Sequence, residues 1–330
     1  MIGVLSRRLK DYVKRRYYDF LYWGVDLYSI RFNQKNVINR LIKGDVSQGS
    51  RDTLCIFAHY DCFNVVDDYV VYYLTQIYSI GAEIIFVTTC SDLAESEIKK
   101  IKGICSLIII RKNVGIDFGS WKTGLSCAGD IGSYKRIIIA NDSVYGPFFD
   151  IGKIINEMDG RGLDIWGITD SWEFCWHLQS YFIVFNQRVI TSTFFKDFWE
   201  NEVRYLRKKL LVIKNYELGL SQRALREGFV LSSYCEYRKV ISKSLKKYRK
   251  LPFYNILTEK PLNPSHFLWK PLIQDFGCPF LKVELMRDNP VRLPDLYDVE
   301  DVLQWSEYDP SLIINHLKRV KNNIQEMPMW

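Results

Sequence analysis

The 330-residue sequence predicts an α/β fold: a Rossmann-type, mostly parallel sheet flanked by helices, with a basic helical segment before it and a small helical part after it. Three observations lead there. From Thr53 onward, short runs of Ile, Leu, Val and Phe alternate with stretches of helical periodicity. The runs are apolar at every position, so both faces of each strand need cover, which is the condition of a parallel sheet between helical layers. A hydrophobic content of 48% over this length is enough to bury a large core.

Taken in order, "TLCIFAHY" reads as a first strand and "VVDDYVVYYLTQIYSIG" as a helix closing on Gly81. "EIIFVTTCSD" is a second strand. "AESEIKKIKG" is a helix with acids early and lysines late, as the helix dipole favours. "SLIIIRKN", the short helix "FGSWKTGLSCAG" and the strand "KRIIIAND" complete the unit. Beyond it, "LDIWGITDS" and "HLQSYFIVFNQ" read as strands, "TSTFFKDFWENEVRYLRKKL" and "NYELGLSQRALREG" as helices. The lysine-rich "KVISKSLKKYRK", followed by Pro252, Pro261 and Pro264, reads as a linker or exposed arm. The division expected is 1–50 as a basic amphipathic helical segment, 51–235 as the main domain, and 236–330 as linker and helical C-terminal part.

Charge is concentrated at one end. Residues 1–43 hold ten Lys/Arg against three Asp, which accounts for the whole formal charge of +7. Basic residues interleaved with Leu, Tyr, Phe and Trp suit a helix lying on an anionic membrane surface, or equally one packed on the main domain with its basic face in water. No nucleic-acid motif accompanies the charge, so nucleic acid is not expected as a partner. No apolar run is long enough to span a bilayer, and charge interrupts the N-terminus too often for a secretory signal. The eight cysteines show no metal-ligand spacing and read as core residues of a reducing cytoplasm.

In an open parallel sheet, ligands bind beyond the carboxyl ends of the strands. Those ends carry His59, Tyr60 and Asp61; Ser91 and Asp92; Asn113, Gly115 and Asp117; and Asn141, Asp142 and Ser143. Neither a dinucleotide fingerprint nor a P-loop is present. A carboxylate-rich rim without a phosphate-cradling loop suits a diphosphate held through a divalent cation, Mg2+ or Mn2+, which needs few protein carboxylates. Asp142 is the candidate metal ligand; the competing reading is that Asp142 and Ser143 cap the turn in "NDSVYGP". Trp121, Trp166, Trp172 and Trp176 read first as core and second as platforms for sugar rings.

The stretches "FAHYD", "DDYVVYYL", "RKNVGIDFGSWKTGL", "IIIANDSVYGPFF", "DIWGITDS", "HLQSYFIVF", "YELGLSQ" and "NPSHFLWKPLI" resemble, in order and spacing, the rhamnan synthesis F family of bacterial polysaccharide assembly. The resemblance covers about residues 53–290. It implies a GT-A-like fold and an inverting glycosyltransferase that moves L-rhamnose or a related deoxyhexose. The implied partners are a nucleotide-sugar donor, dTDP-L-rhamnose, and a lipid-linked glycan acceptor, with the protein at the inner face of the plasma membrane. Asn113 and Gly115 match an NxG element, Asp92 the nucleotide-base position, and Asn141-Asp142-Ser143 stands where an Asp-x-Asp metal motif belongs. Only one carboxylate is present there, which favours the alternative of a non-catalytic glycan- or nucleotide-binding module. Glu217, opening a helix, matches the catalytic base, with Asp170 as second choice. His177 is assigned to binding. Lys282 and Arg287 are cations placed to neutralise the diphosphate, or else belong to a solvated helix face.

Overall fold

The computed structural model describes residues 36–247, 261–294 and 296–325. Its central sheet begins with β1 (Ile38–Lys43), β2 (Thr53–His59), β3 (Ala82–Thr88), β4 (Leu107–Arg111) and β5 (Arg136–Asn141). It is completed by β7 (Ile165–Ser171), β8 (His177–Leu178), β9 (Phe182–Asn186) and β10 (Leu231–Cys235), while β6 (Val144–Tyr145) lies outside it. The spatial order is β1-β4-β3-β2-β5-β9-β7-β10, with β8 paired to β7. Strands β4, β3, β2 and β5 are mutually parallel, β9 runs against both β5 and β7, and β10 is parallel to β7.

Every residue of β2 and β3 is buried, and alternate side chains enter two separate apolar layers. Cys55, Phe57, Ile84 and Phe86 pack on one side, Leu54, Ile56, Ile85 and Val87 on the other. The first layer receives α1 (Asp68–Ser79), α2 (Glu95–Lys102) and α4 (Ile151–Asp159), and the second receives α3 (Ile116–Ser126). This two-sided cover is what the uninterrupted apolar runs require.

The C-terminal residues join the first layer: Leu268, Trp269, Leu272, Val302 and Ile313 pack in the same cluster as α1 and α4. Within them β11 (Leu281–Lys282) pairs antiparallel with β6, Lys282 opposite Val144. The C-terminal part therefore reaches the exit of β5 directly.

Three expected elements differ. The tail of the segment expected to be helical forms β1, an edge strand antiparallel to β4; residues 1–35 of that segment lie outside the described residues. The helix expected over 191–210 is cut at Val203, where Lys122 Nζ donates to the Glu200 and Val203 carbonyls and Val203 enters the core. The expected linker instead starts with α6 (Tyr237–Lys247), whose Val240 and Ser244 are buried. Its Lys243 and Lys247 bond Asp275 of the helix Trp269–Phe276; residues 248–260 lie outside the described residues.

Candidate active site

The end of β2, the loop after β4 and the C-terminal strand β11 converge on the exit of β5. Asn141, its last residue, donates Nδ2–H to Asp117 Oδ2 at 3.0 Å and accepts from Ser143 N and Oγ at 3.2 and 2.6 Å. Asn141 thus makes the turn that the sequence had left to Asp142 or Ser143. Asp142 is released from capping: its Oδ2 accepts the Tyr60 N–H at 2.8 Å and stands 3.9 Å from His59 Nε2. Its side chain is only 16% exposed. Burial, with Asp117 and Asp61 nearby, holds its carboxyl well above the usual range.

Asp117 is placed by the loop after β4. Arg111, fully buried at the end of that strand, donates to the carbonyls of Lys112, Val114 and Ile116 and to Ser120 Oγ. Gly115 opens α3 at φ +82°, and a Cβ there would come within 2.8 Å of the Tyr205 Cα. Burial raises the Asp117 carboxyl, an effect reduced by Lys282 and the Asn141 amide.

The β11–β6 pairing delivers Lys282, whose Nζ is 3.5 Å from Ser143 Oγ and 4.3 Å from the Tyr181 ring centroid. Burial pushes its ammonium down to about 8, against the pull of the Glu217 and Asp117 carboxylates. Glu217 does not open a helix as expected: it ends a π-helical turn, Ile213–Glu217, that runs straight into α5 (Leu218–Arg226), and its Oε1 accepts the Ser180 N–H at 3.0 Å. Glu217, Lys282, Asp117, Asn141 and Ser143 therefore form one electrostatic group.

Beside it is a cavity of about 290 Å3 lined by His59, Tyr60, Asp61, Asp142, Ser143 and Arg287, with Lys209, Glu284 and His316. Arg287 borders it while paired with Asp288 at 2.7 Å. His59 is neutral: burial pushes it down to about 4, and its Nδ1 meets Thr88 Oγ1 at 3.0 Å. One wall went unread in the sequence. Arg319, on the C-terminal helix α7 (Ser311–Gln325), spans Asp61 (2.6 Å) and Asp67 (2.5 Å), while His316 Nδ1 meets the Tyr145 hydroxyl at 2.6 Å. Asp61 had a local signal in "FAHYD"; Arg319 had none.

Other expected residues stand apart. Asp92 and Asn113 are exposed and absent from the cavity lining, and Gly115 acts through backbone shape. His177 is buried with Nδ1 2.9 Å from the Cys175 carbonyl. Asp170 belongs to a different cleft, where Ser233 Oγ, the Tyr237 N–H and Trp176 Nε1 all donate to it at 2.5–2.7 Å. Burial raises its carboxyl, an effect reduced by those three hydrogen bonds, and Asp170 stands apart from the group around Glu217. Trp121 and Trp166 are core residues.

Among the described residues no group of three or more His, Cys, Asp or Glu side chains is arranged to hold a metal ion. The Asp142 carboxyl, bonded to the Tyr60 N–H and held well above the usual range by burial, would have to release its proton to hold a cation. No helix among the described residues is long and apolar enough to cross a membrane.

Residues 84–329 match the family described as rhamnan synthesis protein F. The virulence protein VirA of Vibrio anguillarum is 32% identical over 243 residues, covering 68% of this chain and 77% of that protein. This chain belongs to the rhamnan synthesis protein F family.

The family match runs beyond the expected limit near residue 290 and takes in the Arg319 helix, while His59 and Asp61 precede its start. Asp117, Asn141, Asp142, Ser143, Glu217, Lys282 and Arg287 all lie within it. Among solved structures, the glycosyltransferase GlyE of Streptococcus pneumoniae TIGR4 is similar at 12% identity and TM-score 0.38, over 84% of this chain and 64% of that one. The mannosyltransferase PcManGT of Pyrobaculum calidifontis, in complex with GDP-Man and Mn2+, is similar at 9% identity and TM-score 0.37, over 94% and 88%. Membership of a rhamnan synthesis family supports glycosyl transfer as the reaction.

Proposed function

We propose that this protein is an inverting glycosyltransferase that moves L-rhamnose from dTDP-L-rhamnose to a growing lipid-linked bacterial cell-surface polysaccharide. The observation that carries the reading is the convergence of Glu217, Lys282, Asp117, Asn141 and Ser143 beside the Asp142 cavity, at the carboxyl edge of a parallel sheet. The rhamnose assignment follows the family's description.

In this scheme the nucleoside diphosphate lies in the cavity bordered by His59, Asp142, Ser143 and Arg287. Asp142 would hold Mg2+ or Mn2+ against the diphosphate, and the cation, when bound, lowers the charge of the leaving group. Lys282 supplies a fixed positive charge beside Ser143 for the same leaving diphosphate. Glu217, oriented by the Ser180 N–H, takes the acceptor hydroxyl proton as that oxygen attacks the anomeric carbon and the bond to the diphosphate breaks. The basic residues 1–35 draw the protein to an anionic membrane surface, where a lipid-linked acceptor is found.

The test is transfer from dTDP-L-rhamnose to a lipid-linked glycan, followed by mass spectrometry, in wild type and Glu217→Gln. The variant should lose roughly 10²–10⁴-fold in kcat, as general-base removal does, with dTDP affinity unchanged by calorimetry. Full turnover in Glu217→Gln would refute the base. A wild type that binds dTDP yet transfers no sugar would favour a binding module.

A further inference from the structure

A second cleft lies along the edge strand β10, between its residues Leu231–Ser233, the end of β7 and the start of α6. It encloses about 390 Å3, and its lining includes Asp170, Trp172, Trp176, Leu225, Ser232 and Arg238. That volume falls in the ~300–1,000 Å3 range of small-ligand sites.

Its two indoles are fixed in place. Trp176 Nε1 donates to Asp170 Oδ2 at 2.7 Å, and the Trp176 carbonyl accepts Gln222 Nε2 at 2.7 Å. The Arg238 guanidinium sits 4.7 Å from the Trp172 ring centroid. Ser232 and the Glu236 carboxylate complete a polar rim. A core would pack both indoles away from water, yet both are half-buried here. Flat apolar surfaces ringed by hydroxyl, carboxylate and guanidinium groups complement a pyranose, which presents C–H bonds on a face and hydroxyls around its edge.

The cleft also has a direction. Glu217 stands before the first residue of α5, and Leu225, which lines the cleft, lies in the last turn of the same helix. Eight residues at ~1.5 Å each separate them by about 12 Å along the axis, a span for a short oligosaccharide. We propose that this cleft is a glycan subsite, holding the sugars of the acceptor that precede the one being extended. The acceptor role rests on the glycosyl-transfer reading; the glycan binding does not.

The experiment titrates the full chain with a short rhamnose oligosaccharide by calorimetry, in the presence and absence of dTDP. Wild type should bind it saturably in both conditions. Trp172→Ala should weaken it roughly tenfold while dTDP binding stays as in wild type. Ser232→Phe, which fills the cleft from β10 without removing an indole, should weaken it likewise and guards against a folding defect in the first variant. In the transfer assay both variants should raise the acceptor KM. Absence of oligosaccharide binding to wild type, equal binding to both variants, or competition by dTDP would each overturn the subsite. Trp172-dependent binding in a protein without transfer would uphold the cleft and refute the enzyme. Transfer with an acceptor KM unmoved by both variants would do the reverse.

Discussion

Asp142 places an electrostatic cost in the fold. Its carboxyl is raised by burial and by Asp117 and Asp61, so the folded state keeps a proton that the unfolded chain releases near pH 3.9. Between that pH and the folded value, the native state binds more protons, and stability falls as pH rises. Asp142→Asn should therefore melt higher than wild type at pH 8 and equal to it near pH 4, while losing cation-dependent dTDP binding. Scanning calorimetry at the two pH values checks this; a variant no more stable at pH 8 would show that the Tyr60 hydrogen bond outweighs the buried charge. Lys282 has the opposite linkage. Its folded value is about 8, below the unfolded ~10.4, so between these values the unfolded state holds the extra proton and stability rises with pH. In the proposed function this ammonium faces the diphosphate, and in the folded state it is lost as pH rises through about 8. The affinity for dTDP should fall above pH 8 in wild type, and Lys282→Met should bind roughly 10–100-fold more weakly at pH 7 with a flatter profile. A pH-independent wild type would remove Lys282 from the donor site. The carboxylate at the β5 exit was legible because it directly follows an apolar run in the chain. The saturation of Asp170 was not, since its donors Ser233 and Tyr237 come from β10 and α6, over sixty residues away in the chain.

The loop between β4 and α3 is built to deliver Asp117, and its rigidity is testable. Arg111 ties four acceptors across the loop, and Gly115 lets Tyr205 approach where a side chain would collide with backbone. Gly115→Ala adds a Cβ at positive φ and should destabilise by more than about 1 kcal/mol, measured as a lower urea midpoint, with donor affinity falling as Asp117 shifts. An unchanged midpoint would mean that the Tyr205 segment yields freely. The break at Val203 has the same origin. Periodicity alone reads 191–210 as continuous helix, yet the Lys122 ammonium captures the Glu200 and Val203 carbonyls at the break. The edge strand β1 was hidden by the basic residues Arg40 and Lys43, which an exposed edge tolerates and a core strand would not.

The assembled molecule folds its C-terminal part back across one face of the sheet, so that Leu268, Trp269, Leu272, Val302 and Ile313 share the core of α1 and α4. Lys282 and Arg319 reach the site by that route. At the other end of the chain, residues 1–35 carry eight Lys/Arg against three Asp. Each cation near an anionic surface contributes about 1 kcal/mol, so removal of 1–35, which spares β1, should abolish co-sedimentation with vesicles containing anionic lipid. Salt should release the wild type. Equal sedimentation after the deletion would place membrane attraction elsewhere or nowhere.

The sequence by itself determined the parallel core, helices α1 to α3, and the strand ends that carry His59, Asp117, Asn141 and Asp142. Each of these is written in a continuous stretch of chain, as an apolar run or a helical period. Tertiary structure alone decided which of those groups meet a cation. Lys282 lies 139 residues from Ser143, and Arg319 lies 252 from Asp67. No local periodicity encodes such pairs; they exist because β11 finds the unpaired edge of β6 and because α7 packs against α1.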